Sequence, residues 1–76
     1  MKNITVDGSK PIVSMKCWFI SDGRLYGDAY GHPRFLNGSF IHTSRIIKII
    51  KRGDNKIVET RNTIYICPLS EKLENY

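Results

Sequence analysis

The feature that most constrains this chain is an alternation of apolar and polar residues on either side of Asp22-Gly23. Before this dipeptide, one face of the predicted strand carries Val13, Met15, Cys17 and Phe19, and the other face carries Ser14, Lys16 and Trp18. Period-2 alternation indicates a half-buried strand, and both residues of an Asp-Gly pair tolerate positive φ. The sequence therefore predicts a β-hairpin that turns at Asp22-Gly23.

The remainder of the chain predicts further short strands separated by turns. The return strand of the hairpin covers residues 24–30, and its inward face is expected to carry Leu25, Gly27 and Ala29. Pro33 cannot donate to a ladder, and Asn37-Gly38 marks the next turn. Residues 39–51 are long enough for a helix, but their isoleucines favour a strand that is bent or bulged near Ser44-Arg45. A turn at 53–55 precedes two more strands, at 56–60 and 63–67.

Five short strands joined by turns predict a mostly β fold with little or no helix. We expect a small five-stranded antiparallel barrel or a strongly bent sheet, SH3-like or OB-like. The 76 residues make one domain, with an N-terminal arm over 1–10 and a C-terminal tail over 69–76. A chain this short buries only about 60 % of its unfolded surface, so a homo-oligomer is the expected source of extra stability.

Cysteine usage and the lack of long apolar stretches limit the class of protein. Cys17 and Cys67 are too few for a disulfide framework and lack the spacing of metal ligands, so both are expected to be buried apolar thiols. No stretch approaches the roughly 20 apolar residues of a membrane helix, and no signal-peptide run opens the sequence. We therefore expect no membrane association and a cytoplasmic location, in the host cell if a phage encodes the chain.

Groups suited to catalysis are sparse. His32 and His42 are the only histidines, and neither a carboxylate pair nor a phosphate-binding glycine loop accompanies them. The histidines and cysteines do not have the spacing of a zinc site. The sequence therefore predicts a binding protein that is not an enzyme and that has no cofactor and no metal site.

Two middle segments carry groups that suit an anionic ligand. The predicted ligand-binding residues are Tyr30, His32, Arg34, Phe35, Thr43, Ser44 and Arg45. Guanidinium groups match phosphate oxygens, hydroxyl groups complete the shell, and aromatic rings stack on a base. The structural alternative treats residues 31–33 as a turn, Phe35 as a core residue and residues 43–44 as an ordinary strand edge.

The net charge of +5 is concentrated in the middle of the chain, where residues 24–61 hold eight basic and three acidic groups. Four of the basic residues flank the predicted turn at Gly53: Lys48, Lys51, Arg52 and Lys56. They form a candidate nucleic-acid patch with salt-sensitive attraction, or they protect an edge strand at a solvated hairpin tip. Trp18 is a candidate interface anchor if it faces outward, although a single Trp is more often part of a core.

Three segments, residues 30–38, 41–46 and 58–65, resemble small uncharacterised proteins of phages and prophages, and the likeness covers about residues 14–67. The resemblance implies an antagonist of bacterial antiviral defence. Such proteins include sponges that sequester a cyclic or linear nucleotide signal in a pocket between subunits. They also include anti-CRISPR proteins that block a host protein surface.

Three functions are therefore open at this point. The first is a phage-type sponge that sequesters an anionic nucleotide signal, and the second is a nucleic-acid-binding SH3-like or OB-like barrel. The third is an anti-CRISPR-type inhibitor that binds a host effector protein.

Overall fold

The computed structural model describes residues 10–73, which form a ring of five strands followed by one short helical turn. The elements are β1 (Ile12–Ser21), β2 (Arg24–Tyr30), β3 (Ser39–Arg52), β4 (Asn55–Thr60), β5 (Ile64–Pro68) and a 3₁₀ turn (Leu69–Glu71). The predicted mostly β fold is confirmed, and residues 39–51 form a strand and not a helix. Of the predicted arm and tail, residues 1–9 and 74–76 lie outside the described residues.

Each strand pairs antiparallel with the next one in the sequence, and β1 pairs with β5 to close the barrel. Because the number of strands is odd, the closing pair is parallel, with Ile12 opposite Ile64 and Ser14 opposite Ile66. This sequential order is an up-and-down path. An OB fold follows a Greek-key path, so the OB-like alternative does not match the observed strand order.

The β1–β2 hairpin forms where the sequence predicts it. Asp22 and Gly23 have φ values of 53° and 73°, and positive φ at both central residues is the type I′ geometry that matches the twist of a hairpin. The expected inward residues of β2, namely Leu25, Gly27 and Ala29, are all buried. The local turn and the alternation after it are therefore confirmed.

The predicted alternation of β1 is wrong from Cys17 onward, because the strand contains a bulge. Lys16 lies opposite Asp28, and Phe19 lies opposite Tyr26. Cys17 and Trp18 therefore both lie opposite Gly27, the one residue between those two partners. Cys17 takes a positive φ of 49° and is exposed. The extra residue reverses the faces that follow it, as bulges do: Trp18 is buried instead of outward, and Phe19 stacks on outward-facing Tyr26.

Trp18 is the largest fully buried side chain of the core. Its indole Nε1 donates to the Pro68 carbonyl over 2.7 Å, and its own carbonyl accepts from the N–H of Leu73 over 2.8 Å. These two bonds attach the segment after β5 to β1. The other buried apolar residues are Val13, Met15, Leu25, Ala29, Ile41, Val58, Tyr65 and Cys67, so the burial predicted for Cys67 is confirmed and that predicted for Cys17 is wrong.

Strand β3 serves two partners in turn. Residues 39–45 pair with β2, and residues 46–52 pair with β4. Between these halves, Thr43 and Ser44 form a bulge opposite Leu25, which confirms the predicted irregularity near Ser44-Arg45. Within residues 10–73, the first half of β3 consequently lacks a strand on its β4 side, and the second half lacks one on its β2 side.

Candidate functional site

A cleft lies beside the first half of β3, where no strand between residues 10 and 73 pairs with its β4 side. Its volume is about 540 Å³, within the roughly 300–1,000 Å³ that small-molecule sites occupy. Three segments form most of its lining: residues 32–35 of the β2–β3 loop, residues 41–44 of β3, and four residues around the β4–β5 turn, namely Thr60, Asn62, Thr63 and Tyr65. Residues from both sequence-predicted segments therefore meet in one concave space.

The β2–β3 loop is shaped by bonds to its own side chains. Asn37 Oδ1 accepts from the N–H of Gly31 over 2.8 Å, and His32 Nδ1 accepts from the N–H of Arg34 over 3.0 Å. The N–H of Gly38 donates to the Ala29 carbonyl over 2.8 Å and closes the loop onto the end of β2. This arrangement holds residues 32–35 at the cleft.

His32 is the partly buried ring of the cleft. Its ring centroid lies 4.7 Å from that of Phe35 and 6.5 Å from that of Tyr65. Burial, and then the nearby charge of Arg34, lower the pKa of the imidazole below its ordinary value of 6.5. Because Nδ1 already accepts a hydrogen bond, the neutral ring carries its proton on Nε2. At neutral pH His32 therefore offers one N–H donor and no positive charge.

Three further groups of the cleft are available to a ligand. Arg34 and Ser44 are exposed, and neither the guanidinium nor the hydroxyl group bonds to any residue between 10 and 73. Phe35 keeps 46 % of its surface exposed beside the His32 ring. The cleft thus presents a guanidinium and a hydroxyl group that bond to no described residue, together with an aromatic ring that is half exposed.

Thr43 lines the cleft, but its side chain has a structural task. The hydroxyl Oγ1 accepts from the N–H of Leu25 over 3.1 Å and donates to the Ser44 carbonyl over 2.7 Å. Both bonds satisfy backbone groups at the bulge, and the residue is only 4 % exposed. The Thr43 hydroxyl group, which the sequence predicted as a ligand contact, is thus engaged in two bonds within the fold.

Arg45 and Tyr30 do not line the cleft. The Arg45 guanidinium donates to the Asp22 carbonyl over 3.3 Å at the β1–β2 turn. The Tyr30 ring packs beneath the Lys16 ammonium, whose nitrogen lies 5.1 Å from the ring centroid. The predicted site therefore converges only in part, because the bulge and the strand alternation direct these two side chains elsewhere.

Several lining residues were missed by the sequence reasoning. Asn62 and Thr63 belong to the β4–β5 turn, where the N–H of Thr60 donates to the Thr63 carbonyl over 2.9 Å. Tyr65 is a further missed lining residue. It is buried, and this burial raises the pKa of its phenol group. His42 borders the cleft and ends a cross-strand series of rings, 5.9 Å from Tyr26, which in turn stacks on Phe19 at 4.9 Å. The sequence marked residues 61–62 only as a connection between strands and Thr63 only as the start of the last strand.

The candidate nucleic-acid patch lies on the β3–β4 hairpin, apart from the cleft. Lys48, Lys51 and Arg52 are exposed, and Lys56 is half-buried. Among residues 10–73, the one salt bridge joins Lys10 and Glu59. The hydrogen bond from Lys10, followed by the charges of Lys10 and Lys48, lowers the pKa of the Glu59 carboxyl group, although desolvation opposes this shift.

The described residues contain no group of three or more His, Cys, Asp or Glu side chains with the geometry to hold a metal ion. Cys17 and Cys67 are both free thiols, and burial raises the pKa of Cys67 to about 12. Between residues 10 and 73, no helix has the length and apolar character to cross a membrane.

Comparisons of this chain with protein families, curated proteins and solved structures gave no match.

Proposed function

We propose that this domain is a non-enzymatic, phage-type binding protein that captures an anionic nucleotide, cyclic or linear, in the cleft beside β3. One observation carries the proposal. His32, Arg34, Phe35 and Ser44 come from two separate segments, and all four line a single cleft of about 540 Å³. Its volume suits a ligand of nucleotide size.

Each of these side chains has a distinct role in the proposed complex. The Arg34 guanidinium supplies the positive charge, and its planar fork pairs with two phosphate oxygens. The Ser44 hydroxyl group donates a further hydrogen bond to the phosphate group. Phe35, which is 46 % exposed, offers a ring face to a nucleobase. His32 packs against Phe35 and adds one N–H donor without adding charge.

The wider role rests on the resemblance to small phage and prophage proteins. In that context, capture of a nucleotide signal would antagonise a bacterial antiviral defence. Each cleft contains one uncommitted guanidinium group, so a ligand with two phosphate groups would be matched by two clefts brought together. This requirement fits the expected homo-oligomer in the host cytoplasm.

The proposal is tested by isothermal titration calorimetry against mononucleotides, linear dinucleotides, and cyclic di- and trinucleotides. We expect saturable heat for at least one member of this panel, with affinity at least tenfold lower for Arg34→Ala. Arg45→Ala is the matched control, because it removes the same charge from a residue outside the cleft. The absence of heat for every member, or an equal loss in both variants, would contradict the proposal.

Nucleic-acid binding through the hairpin patch is the second candidate. The observation in its favour is that Lys48, Lys51 and Arg52 are exposed together at one end of β3. Residues 46–58 include no aromatic ring, so attachment there would use phosphate groups alone and would be strongly salt-dependent. A mobility shift that is lost in a Lys48→Glu, Lys51→Glu double variant would support it. The absence of any shift at low salt would remove it.

The anti-CRISPR-type inhibitor that binds a host effector is the third candidate. Co-purification with a host protein that survives nuclease treatment would separate it from nucleic-acid binding.

A further inference from the structure

Within residues 10–73, the second half of β3 has a backbone edge that pairs with no other strand. Pairing with β2 ends at the Arg24–Arg45 pair, and the last bond on that side is from the N–H of Ile46 to the Gly23 carbonyl over 2.8 Å. Beyond this point β3 continues for six residues, and among the described strands these pair with β4 alone. We call Ile47–Arg52, on the side that faces away from β4, the open edge.

The register shows which backbone groups face this open edge. On the β5 side of β4, the N–H of Thr60 donates to the Thr63 carbonyl, and the Asp54 carbonyl accepts from the N–H of Leu69. The backbone groups of residues 54 and 60 therefore point toward β5. Alternation along the strand then directs residues 55, 57 and 59 toward β3, opposite residues 52, 50 and 48. The N–H and C=O groups of Ile49 and Lys51 therefore point away from β4.

The side chains along the open edge are apolar and basic. Ile47 and Ile49 are 63 % and 43 % exposed. Lys48 and Arg52 share the outer face with Ile50, which borders an apolar concavity of about 420 Å³ formed with Ile57 and Ile66. Exposed isoleucines beside unpaired backbone groups are the surface to which an added strand attaches.

The sign of the charge indicates the kind of strand that fits. Residues 47–60 of the β3–β4 hairpin hold four cations and two carboxylates, Asp54 and Glu59, and Glu59 is already paired with Lys10. A second copy of this chain would bring the same surplus of positive charge to the contact, and lysines on an edge strand oppose such self-pairing. A strand that carries carboxylates opposite Lys48 and Arg52 would be attracted instead.

We propose that the open edge binds an extended acidic segment of another protein, which joins the sheet as an additional strand beside β3. Apolar residues of that segment contact Ile47 and Ile49, and its carboxylates face Lys48 and Arg52. Its backbone pairs with Ile49 and Lys51. This surface is independent of the nucleotide cleft, which lies beside the other half of β3.

The test uses a labelled eight-residue peptide with alternating Val and Glu, followed by fluorescence anisotropy and by amide hydrogen exchange in the intact protein. We expect saturable binding that weakens at least tenfold in a Lys48→Glu, Arg52→Glu double variant. A Lys16→Glu, Arg61→Glu double variant is the matched control, with the same change in net charge. Exchange at Ile49 and Lys51 should slow when the peptide binds, whereas Lys48 and Ile50 should show little change.

Peptide chemistry provides the second control. The same peptide with N-methyl groups on all of its backbone nitrogen atoms keeps its charge but has no backbone N–H group to donate to the edge, so we expect it not to bind. The proposal is overturned if neither peptide binds, if both bind equally, or if an alternating Val and Lys peptide binds as well. Concentration-dependent protection of Ile49 without peptide would assign the edge to a second copy. Tighter binding of an oligothymidylate would assign it to nucleic acid, and either result would also overturn the proposal.

Discussion

Gly27 lies so close to Trp18 that a Cβ atom on the glycine would be 2.9 Å from the Trp18 Cβ and 3.0 Å from its Cα. The two residues face each other across the β1 bulge, where Cys17 and Trp18 together oppose Gly27. The bulge turns the indole into the core, and the glycine leaves room for the strand that carries it.

Gly27→Ala is expected to destabilise the protein by about 1–3 kcal/mol, because the added methyl group meets backbone atoms that cannot move aside cheaply. Urea denaturation measures this loss. Asp28→Ala, at the adjacent outward position, is the control and should change the free energy of unfolding by about 0.5 kcal/mol or less. Equal stability of Gly27→Ala and the native sequence would mean that the bulge relaxes to admit the methyl group.

Thr43→Val is expected to cost about 1–3 kcal/mol, because the N–H of Leu25 loses its buried acceptor at the β3 bulge. Thr43→Ser keeps the hydroxyl group and should lose only about 1 kcal/mol for the missing methyl group. Thermal or urea unfolding of the two variants separates these effects. A serine variant as unstable as the valine variant would show that packing, and not the hydrogen bond, is the contribution of Thr43.

The two cysteines should react very differently with iodoacetamide at pH 8. Cys17 is exposed, whereas burial raises the pKa of Cys67 to about 12, so Cys67 lacks both access and the thiolate that alkylation requires. Mass spectrometry of the native protein should show one modification, at Cys17. Guanidinium-unfolded protein should show two. Equal labelling of both cysteines in the native state would contradict the burial of Cys67.

Glu59→Gln should remove a pH-dependent part of the stability. The pKa of this carboxyl group is lower in the folded chain than its ordinary value of 4.5, chiefly through the hydrogen bond from Lys10. A lowered pKa means that the stabilisation is present above about pH 4.5 and disappears as the pH falls through the folded value.

The unfolding midpoints of the native protein and of Glu59→Gln should therefore differ at pH 7 and converge in acid. Asp28→Asn, which removes a charge elsewhere on the sheet, is the control for the change in net charge. A difference between the native protein and Glu59→Gln that persists unchanged at low pH would contradict a role for the Lys10–Glu59 pair.

Turn preference and alternation along the sequence predicted the fold correctly wherever the structure depends on one strand and the turn beside it. The Asp22-Gly23 turn and the inward set of β2 follow from φ preference and period-2 alternation, both of which are properties of adjacent residues. The bulge at Cys17 has no such signal. It depends on Gly27 in the opposite strand, whose missing side chain leaves the space that the Trp18 backbone and Cβ atom occupy.

The candidate site was predictable in chemistry but not in geometry. His32, Arg34, Phe35 and Ser44 were chosen by residue type and do meet in the cleft. Thr43 was chosen for the same reason, but a hydroxyl group that can bond to a phosphate group can equally bond to a backbone group. In this structure the Thr43 hydroxyl group accepts from the N–H of Leu25 at the bulge. Asn62 and Thr63 line the cleft because β3 changes its pairing partner from β2 to β4. That change depends on contacts between distant segments, which the alternation of residues along one strand does not predict.

The parallel pair of β1 and β5 joins the first strand of the barrel to be synthesised with the last one. The N–H of Ile64 donates to the Pro11 carbonyl, and Lys10 reaches Glu59 across 49 positions of sequence. A growing chain therefore keeps one side of β1 without its neighbour until β5 has been synthesised. The barrel therefore cannot close before β5 has been made, and a stop codon before Ile64 would leave Ile12–Ser14 without the strand that pairs with them.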